Sequence, residues 1–512
     1  MSADEKVDAA DVTARTVDSE SGRPVSGEVI AVSNGDQPTD DELAAALRSY
    51  VPGTALEKKL VRKLDLMILP CLWWVYILAY LDRGNISNAN SAGLSTDLGL
   101  TSSGYSLFIA VFFVGFFLFE IPSNLLMARL RPSIYLSTLM LVWGTIVAAM
   151  STSAKASGFF AARFFLGCIE AGLFPALLYL LTCWYKKEEL AKRMSLFFTA
   201  ACISPALGGI MAGAIIKTLD GARGWEGWRW LFLIEGVMTA FFALTFYLVL
   251  VDYPLQTKRF SPAERMLAHV RVLADHEANI AADAARLTAW QAVKACLCDG
   301  RSWFFMLLYV LDCGSTCISY FIPTMIKGMG YGTVATQWMT VPIWIVGAVV
   351  MYIVSFTSDR TKDRRWHNTC AMAVSCISCI VCVCTGNRKA QYAMLCFMIA
   401  GLYSAVVIIF TWTSETIMRP NQKRSVVLAF VNSCGNLSII YGSYLWPSSD
   451  APGYHPGFIS VAVFTGVAAI LSVAAPYYFK LLPTVPSTRA ERELMAHTDN
   501  GFSGVQADEK KI

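Results

Sequence analysis

The chain has 512 residues, of which 55% are hydrophobic and only 16% charged, with a mean hydropathy of +0.48. So little polar surface cannot coat one or two soluble domains of that length, which makes the chain a polytopic membrane protein. The net charge of +4 is small, and the basic residues lie in short loops rather than in one stripe, which argues against nucleic acid as a partner.

Residues 1–55 are polar and rich in Asp, Glu, Ser and Thr, carry no signal-peptide pattern, and predict a disordered cytoplasmic tail. Apolar runs long enough to cross a hydrocarbon core of about 30 Å then fall near 66–90, 104–127, 133–153, 157–183, 194–216 and 231–251. After a polar gap they resume near 302–326, 335–357, 368–386, 390–415, 425–447 and 457–480. The predicted fold is an all-α membrane protein of twelve transmembrane helices in two six-helix halves, residues 60–251 and 302–482, with a cytoplasmic linker over 252–301 and a cytoplasmic tail over 483–512. In the linker, Ser261-Pro262-Ala263-Glu264 opens a short amphipathic helix with a capping box, and Leu267, Val270 and Ala274 share one face.

Orientation follows from basic residues in the short connections. With the N-terminus inside, the inner connections hold thirteen, among them Arg129, Arg131, Arg360, Arg364 and Arg365, against seven outside. Both termini are therefore expected in the cytoplasm. The fifteen cysteines lie almost entirely in apolar runs, where cysteine behaves as a small hydrophobe. Cys376, Cys379, Cys382 and Cys384 share one helix without His or acid and would not converge on a tetrahedral metal, so no metal or other cofactor is expected.

Landmarks repeat at an offset of 230–231 residues. Leu81-Asp82-Arg83-Gly84 returns 230 residues on as Leu311-Asp312-Cys313-Gly314, and Arg129 and Lys192-Arg193 return 231 residues on as Arg360 and Lys423-Arg424. Two homologous halves, with a site near midplane at their interface, account for this. Arg83, Arg163 and Glu170 map onto Cys313, Met394 and Gly401, so these charges are private to the first half, whereas Asp82 has a carboxylate counterpart in Asp312.

Charges at lipid depth cost roughly 2.5–3.5 kcal/mol each on insertion scales and mark functional sites by default. At about 1.5 Å rise per residue, Asp82 stands roughly 24 Å up the first helix and Arg163 roughly 9 Å down the fourth, heights that suit an Asp82–Arg163 ion pair. Glu170 lies roughly 10 Å deeper on the face of Arg163. Arg83 points about 100° away from Asp82 and is expected to face a cavity, where its planar fork suits a carboxylate. An unpartnered buried Glu170 would load and release a proton, and so would Asp82 when freed from Arg163. The bland alternative is a charge network that fixes helix register. Glu120 and Glu235 lie toward helix ends and read as structural, while Asp312 is open either way.

Leu81-Asp82-Arg83-Gly84-Asn85-Ile86-Ser87-Asn88-Ala89, Phe119-Glu120-Ile121-Pro122-Ser123-Asn124, Arg163-Phe164-Phe165-Leu166-Gly167 with Glu170-Ala171-Gly172-Leu173-Phe174-Pro175, and Gly227-Trp228-Arg229-Trp230-Leu231-Phe232 with Glu235-Gly236 together resemble the anion:cation symporter family of the major facilitator superfamily. The chain is most similar there to the fungal allantoate and nicotinate permease branch. Ser358-Asp359-Arg360 with Arg364-Arg365 resembles the superfamily's cytoplasmic loop motif; in the first half Ala128 replaces its acid, leaving Arg129 and Arg131. The resemblance implies alternating access by rocking halves, with Arg83 as anion binder and Glu170 as proton carrier. Glu415 stands where this branch carries Asn, an added acid that would shift substrate preference or simply reach the interface. Ser204-Pro205 with Gly208-Gly209 partly resembles a drug/proton antiporter motif, though Gly209 and Gly213 also make a small-residue packing face.

The expected substrate site comprises Arg83 and Asn85 with Tyr309, Tyr320, Trp412 and Asn436; the proton-coupling set is Asp82, Arg163 and Glu170. The predicted function is proton-coupled uptake of a small organic anion, a carboxylate such as allantoate or nicotinate, by a monomer in the plasma membrane. Export by antiport and a non-transporting nutrient sensor are the alternatives. No nucleophile with a base, metal cluster or phosphate loop stands out, so an enzyme is not predicted.

Overall fold

The computed structural model of the chain describes residues 40–127, 130–257, 259–282, 287–417 and 420–482. Among them, twelve helical segments are long and apolar enough to cross a membrane. Spans one to six are Ala55–Ser91, Ser102–Glu120, Pro132–Met150, Ala156–Trp184, Thr199–Leu219 and Gly227–Val249. Spans seven to twelve are Gly300–Tyr320, Thr333–Thr361, Arg365–Cys384, Arg388–Thr416, Gln422–Leu445 and His455–Leu481. Helices are the natural outcome for such runs, because hydrocarbon offers backbone N–H and C=O groups no partner outside their own segment. An even number of crossings puts the first and last spans' outer ends and the linker at one end of the bundle, here the terminal end, opposite a distal end.

Sidedness follows the same solvent logic. On span six, Phe241, Leu244 and Leu248 form an exposed apolar stripe, as a lipid-facing surface requires. The opposite face is built from small residues: a Cβ on Gly144 would lie 2.8 Å from the backbone N of Ala240 and 2.9 Å from the carbonyl O of Gly236. Gly144 and Ala148 on span three thus meet Gly236 and Ala240 on span six backbone to backbone, the small-residue crossing that membrane helices use in place of a hydrophobic driving force. Gly209 and Gly213 make room for side chains between the halves, where their Cβ atoms would fall 2.5 Å from Thr340 Oγ1 and 3.0 Å from Trp338 Nε1. Packing is therefore a sufficient reason for these glycines.

The two halves are fastened at the distal end. Asn90 Nδ2 donates to Thr324 Oγ1 at 3.2 Å, Lys327 Nζ to the carbonyl of Ser91 at 2.6 Å, and Gln337 Nε2 to Ser91 Oγ at 2.7 Å. Ser106 and Ser443 exchange hydroxyl-to-carbonyl bonds at 2.7 and 3.2 Å.

The expectation of a tail disordered through residue 55 does not hold for its last part. Asp40–Ser49 is a helix whose Leu43, Ala46 and Leu47 pack with Tyr50 against Met266 and Val270 of the linker helix Pro262–Ala282. The local Leu-Ala-Ala-Ala-Leu run supplies the apolar face; the polar average over 55 residues conceals it. The capping box at the linker helix forms as expected, with Glu264 N donating to Ser261 Oγ at 3.3 Å and Ser261 N to Glu264 Oε2 at 3.0 Å. The linker lies against the bundle. Its Arg271 is fully buried, bonds Glu189, and lies 3.2 Å from Glu57 Oε1, while Lys63 reaches Glu264 at 2.8 Å.

Candidate functional site

Two spans lose their regular helix beside the charged residues. Span four is a helix over Ala156–Glu170 and a second over Leu173–Trp184, separated by Ala171 and Gly172. A Cβ on Gly172 would collide with Ser123 Oγ and Tyr135 OH, which are hydrogen-bonded to each other, so the break is held closed by glycine. In span seven the helix Gly300–Thr316 tightens into a 3-10 turn over Cys317–Tyr320. Broken helices are tolerated at this depth where protein surrounds them, and they mark carrier binding sites. Gly172 with Pro175 was the available sequence signal for the first break.

Arg83 and Glu170 are partners: Arg83 Nε donates to Glu170 Oε2 at 2.7 Å, with the carboxylate fully buried. The guanidinium carbon also lies 5.3, 5.5 and 5.1 Å from the rings of Tyr80, Phe112 and Phe116. This corrects the expectation of a free Arg83 and an unpartnered Glu170. Side chains lean toward the N-terminus of their own helix. In antiparallel spans one and four, Arg83 and Glu170 therefore lean toward each other, and an estimate from Cα heights alone misses the pairing.

Asp82 and Arg163 make no ion pair, which corrects the second expectation. Asp82 instead accepts a hydrogen bond from the Trp143 indole N–H of span three and faces Glu235 and Thr239 of span six. Glu235, read as structural for lying toward a helix end, is fully buried with neither carboxyl oxygen hydrogen-bonded. Arg163 is 2% exposed, and its Nε and Nη2 have no hydrogen-bond partner.

Arg83, Arg163 and Tyr320, with Ile86, Ile109, Phe112 and Phe113, line a cavity of ≈ 10 Å³, room for about one water. Two guanidiniums and one bound carboxylate give its lining a net positive charge in a low-dielectric setting, where Coulomb interactions are strong. In this conformation the walls are closed on the site and would have to part for a substrate.

The other expected site residues fall less close together. Tyr309 packs against Phe410 at 4.8 Å between ring centres and lies over Gly435. Trp412 is packed among Phe304, Phe305 and Phe479 of spans seven and twelve rather than in the cavity, which corrects its assignment. Asn436 Nδ2 donates to Asn432 Oδ1 at 3.3 Å within its own helix. Asn85 is buried with both amide atoms unpartnered, one turn from Asp82. Asp312 is likewise fully buried and without a hydrogen bond. Glu120 accepts from Ser433 Oγ at 3.1 Å, joining spans two and eleven.

At the terminal end of the second half, Arg364 holds the loop motif together. It lies 2.7 Å from Asp359 Oδ1, donates to Glu415 through Nε and Nη2 at 3.0 and 2.7 Å, and reaches Ser358 Oγ at 2.9 Å. Glu415 is thus the second carboxylate of a bidentate arginine clamp, which accounts for an acid there without a role in substrate preference. Arg365 lies over its neighbour Trp366 at 4.5 Å, Arg360 and Arg131 are exposed, and Arg129 lies outside the described residues. Arg364→Ala is expected to slow transport roughly tenfold, the equivalent of about 1.4 kcal/mol, with part of the loss recovered in the double variant with Glu415→Gln. Initial uptake rates of the three forms check this.

A family model described as Major Facilitator Superfamily matches residues 72–443. An MFS-type transporter cnsO of Penicillium expansum is 34% identical over 419 residues, covering 79% of this chain and 80% of that one. The major facilitator-type transporter hxnP of Emericella nidulans is 27% identical, covering 86% and 90%. Among solved structures, a bacterial homologue of the human lysosomal transporter Spinster, inward-facing and unoccupied, superposes with TM-score 0.67 at 15% identity, covering 82% and 98%. A D-xylose-proton symporter does so at 0.59 and 16%, covering 82% and 99%. The last two speak to the fold alone.

Proposed function

The chain belongs to the major facilitator superfamily of membrane transporters, which are not enzymes, and on that premise we propose that it carries small organic monoanions together with protons. The observation that supports this most is the pair of guanidiniums at one buried cavity, Arg163 without a partner and Arg83 held by the single acid Glu170. An arriving carboxylate and the Glu170 carboxylate compete for Arg83. When Glu170 takes a proton, Arg83 is released and both guanidiniums can grip the substrate, which replaces the lost charge. When Glu170 loses the proton, it reclaims Arg83 and the anion is let go. One proton thus accompanies one anion because the substrate needs Arg83 as well as Arg163, and Glu170 holds Arg83 until it is protonated. Tyr320 lines the same cavity and would contact the substrate.

Alternating access would open the distal end by breaking the Asn90, Ser91, Ser106 and Ser443 contacts while the Arg364 clamp secures the terminal end of the second half. We place the terminal end in the cytoplasm from the distribution of basic residues, and the protein in the plasma membrane from its resemblance to fungal permeases.

The test is thermal stability of the purified protein with nicotinate, allantoate and, as a neutral control, nicotinamide. A ligand at 100 times its Kd stabilises the native state by about 2.7 kcal/mol. The acids should raise Tm more strongly at pH 5.5 than at pH 8, and nicotinamide should not. In Glu170→Gln the acids should bind more tightly and without pH dependence, because Arg83 is permanently free. Equal stabilisation by acid and amide, or unchanged pH dependence in Glu170→Gln, would remove this reading.

A further inference from the structure

A short helix, Ala289–Cys298, comes immediately before span seven at the terminal end, and the transport reading gives it no part. It is properly started by a capping box: Gln291 N donates to Thr288 Oγ1 at 3.4 Å and Thr288 N to Gln291 Oε1 at 2.9 Å. One face is used for packing, with Ala292 and Ala295 buried beside Leu287 and against Val426 of span eleven. The opposite face carries Trp290, 75% exposed, Leu297, 46% exposed, and the exposed Lys294 between them. Residues spaced in this way, four and then three apart, form one stripe along a helix.

Continuity with the membrane-crossing surface says what covers that stripe. Trp303, in the first turn of span seven, donates its indole N–H to the Leu297 carbonyl at 2.9 Å. The stripe therefore runs on to Trp303 and, one turn deeper, to Leu307, which are 45% and 43% exposed. Gly300 at the junction lies against span twelve, where its Cβ would fall 2.9 Å from Tyr478 OH. The same end of span twelve exposes Tyr477, Leu481 and Lys480. Tryptophan and tyrosine gather at headgroup level because each ring pairs an apolar body with a polar edge. Lysines there extend the ammonium to the phosphates while the stem stays among apolar groups. The acid beside the helix does not offset this charge: Asp299 is 2% exposed and lies 2.8 Å from Lys423 Nζ and 3.5 Å from Arg301 Nη1.

We propose that the Trp290, Lys294 and Leu297 face docks on the bilayer leaflet at the terminal end and binds the headgroups of anionic phospholipids. Trp290, Leu297 and Trp303 enter the boundary between headgroups and acyl chains, and Lys294 meets the phosphate layer above them. The helix leads straight into span seven, whose 3-10 turn Cys317–Tyr320 brings Tyr320 to the cavity. Anchoring the start of that span to the leaflet holds the end of the span that does not reach the site. The inference does not depend on what the cavity transports.

The experiment is photolabelling of the full chain in phosphatidylcholine vesicles that contain either a photoactivatable phosphatidylglycerol or a photoactivatable phosphatidylcholine. Each probe carries its carbene precursor near the headgroup, and labelled peptides are mapped by mass spectrometry. Peptides covering residues 289–303 should take label, and phosphatidylglycerol should label them more than phosphatidylcholine. In Lys294→Gln that preference should fall about fivefold at low salt, the effect of one lysine at an anionic surface. Lys294→Arg should keep it, and high NaCl should weaken it in the wild type. Trp290→Ser should lower labelling by both lipids. All three side chains replaced are exposed, so Tm in neutral lipid should match the wild type and certify the fold. Labelling confined to deeper parts of span seven, or a preference unchanged in Lys294→Gln, would overturn the proposal. So would a dimer in detergent that Trp290→Ser dissolves, which would assign the face to a second copy of the chain.

Discussion

Replacing Arg163 by Met is expected to abolish carboxylate transport while leaving the fold intact or slightly firmer. The guanidinium is 2% exposed and in no ion pair, so its burial is a cost to the resting protein that methionine, of similar length, does not incur. The same group is the cation best placed to receive an anion. Removing one partner of a desolvated charge pair costs roughly 2–5 kcal/mol, which is about 30-fold or more in affinity. Initial rates of labelled nicotinate and allantoate uptake into proteoliposomes, with Tm measured on the same preparation, separate the two effects. Arg163→Lys should recover part of the activity as a point charge without the planar fork. A Tm that collapses in Arg163→Met, with rescue by Asp82→Asn, would instead make Arg163 the structural partner of Asp82.

The largest expected stability loss lies at the crossing of spans three and six. A Cβ on Gly236 would meet the backbone of Ala148, which cannot withdraw as a side-chain tip can, so Gly236→Leu forces the spans apart. Overpacking of this kind costs roughly 1–3 kcal/mol. Detergent-solubilised melts should show Tm lowered by several degrees and a smaller monodisperse fraction, whereas Gly84→Ala, with nothing within 4 Å of its would-be Cβ, should leave both unchanged. An undisturbed Gly236→Leu would mean that this contact does not position Trp143 and Glu235 against Asp82.

The twelve spans could be read from sequence because hydrocarbon imposes one rule on every lipid-crossing segment, and apolar length reports it directly. The observed spans begin and end within a few residues of the expected runs at most boundaries; span one starts at Ala55, about three turns early, because its polar first turns project toward the linker. The residues at the site were also legible as a set, since Asp82, Arg83, Arg163 and Glu170 are charges where charge is expensive. Their pairing was not. Height along a helix fixes one coordinate, and partners are chosen by two more: Trp143 and Glu235 occupy the side of Asp82 that was assigned to Arg163. Glu235 was read as structural from its place toward a helix end, but distance from an end says nothing about whether that end is sealed. Trp412 illustrates the opposite error, an aromatic near the expected cavity that packs with other aromatics.

The measurement that bears most directly on the coupled transport of anions is proton entry during substrate uptake by the reconstituted wild-type protein. Proteoliposomes loaded with a fluorescent pH indicator, with equal pH across the membrane, should acidify inside as nicotinate or allantoate is added outside. The acidification should follow the uptake of label and vanish in Arg163→Met. Carboxylate entry with no change of internal pH, or robust carriage of neutral or cationic solutes with none of carboxylates, would contradict it.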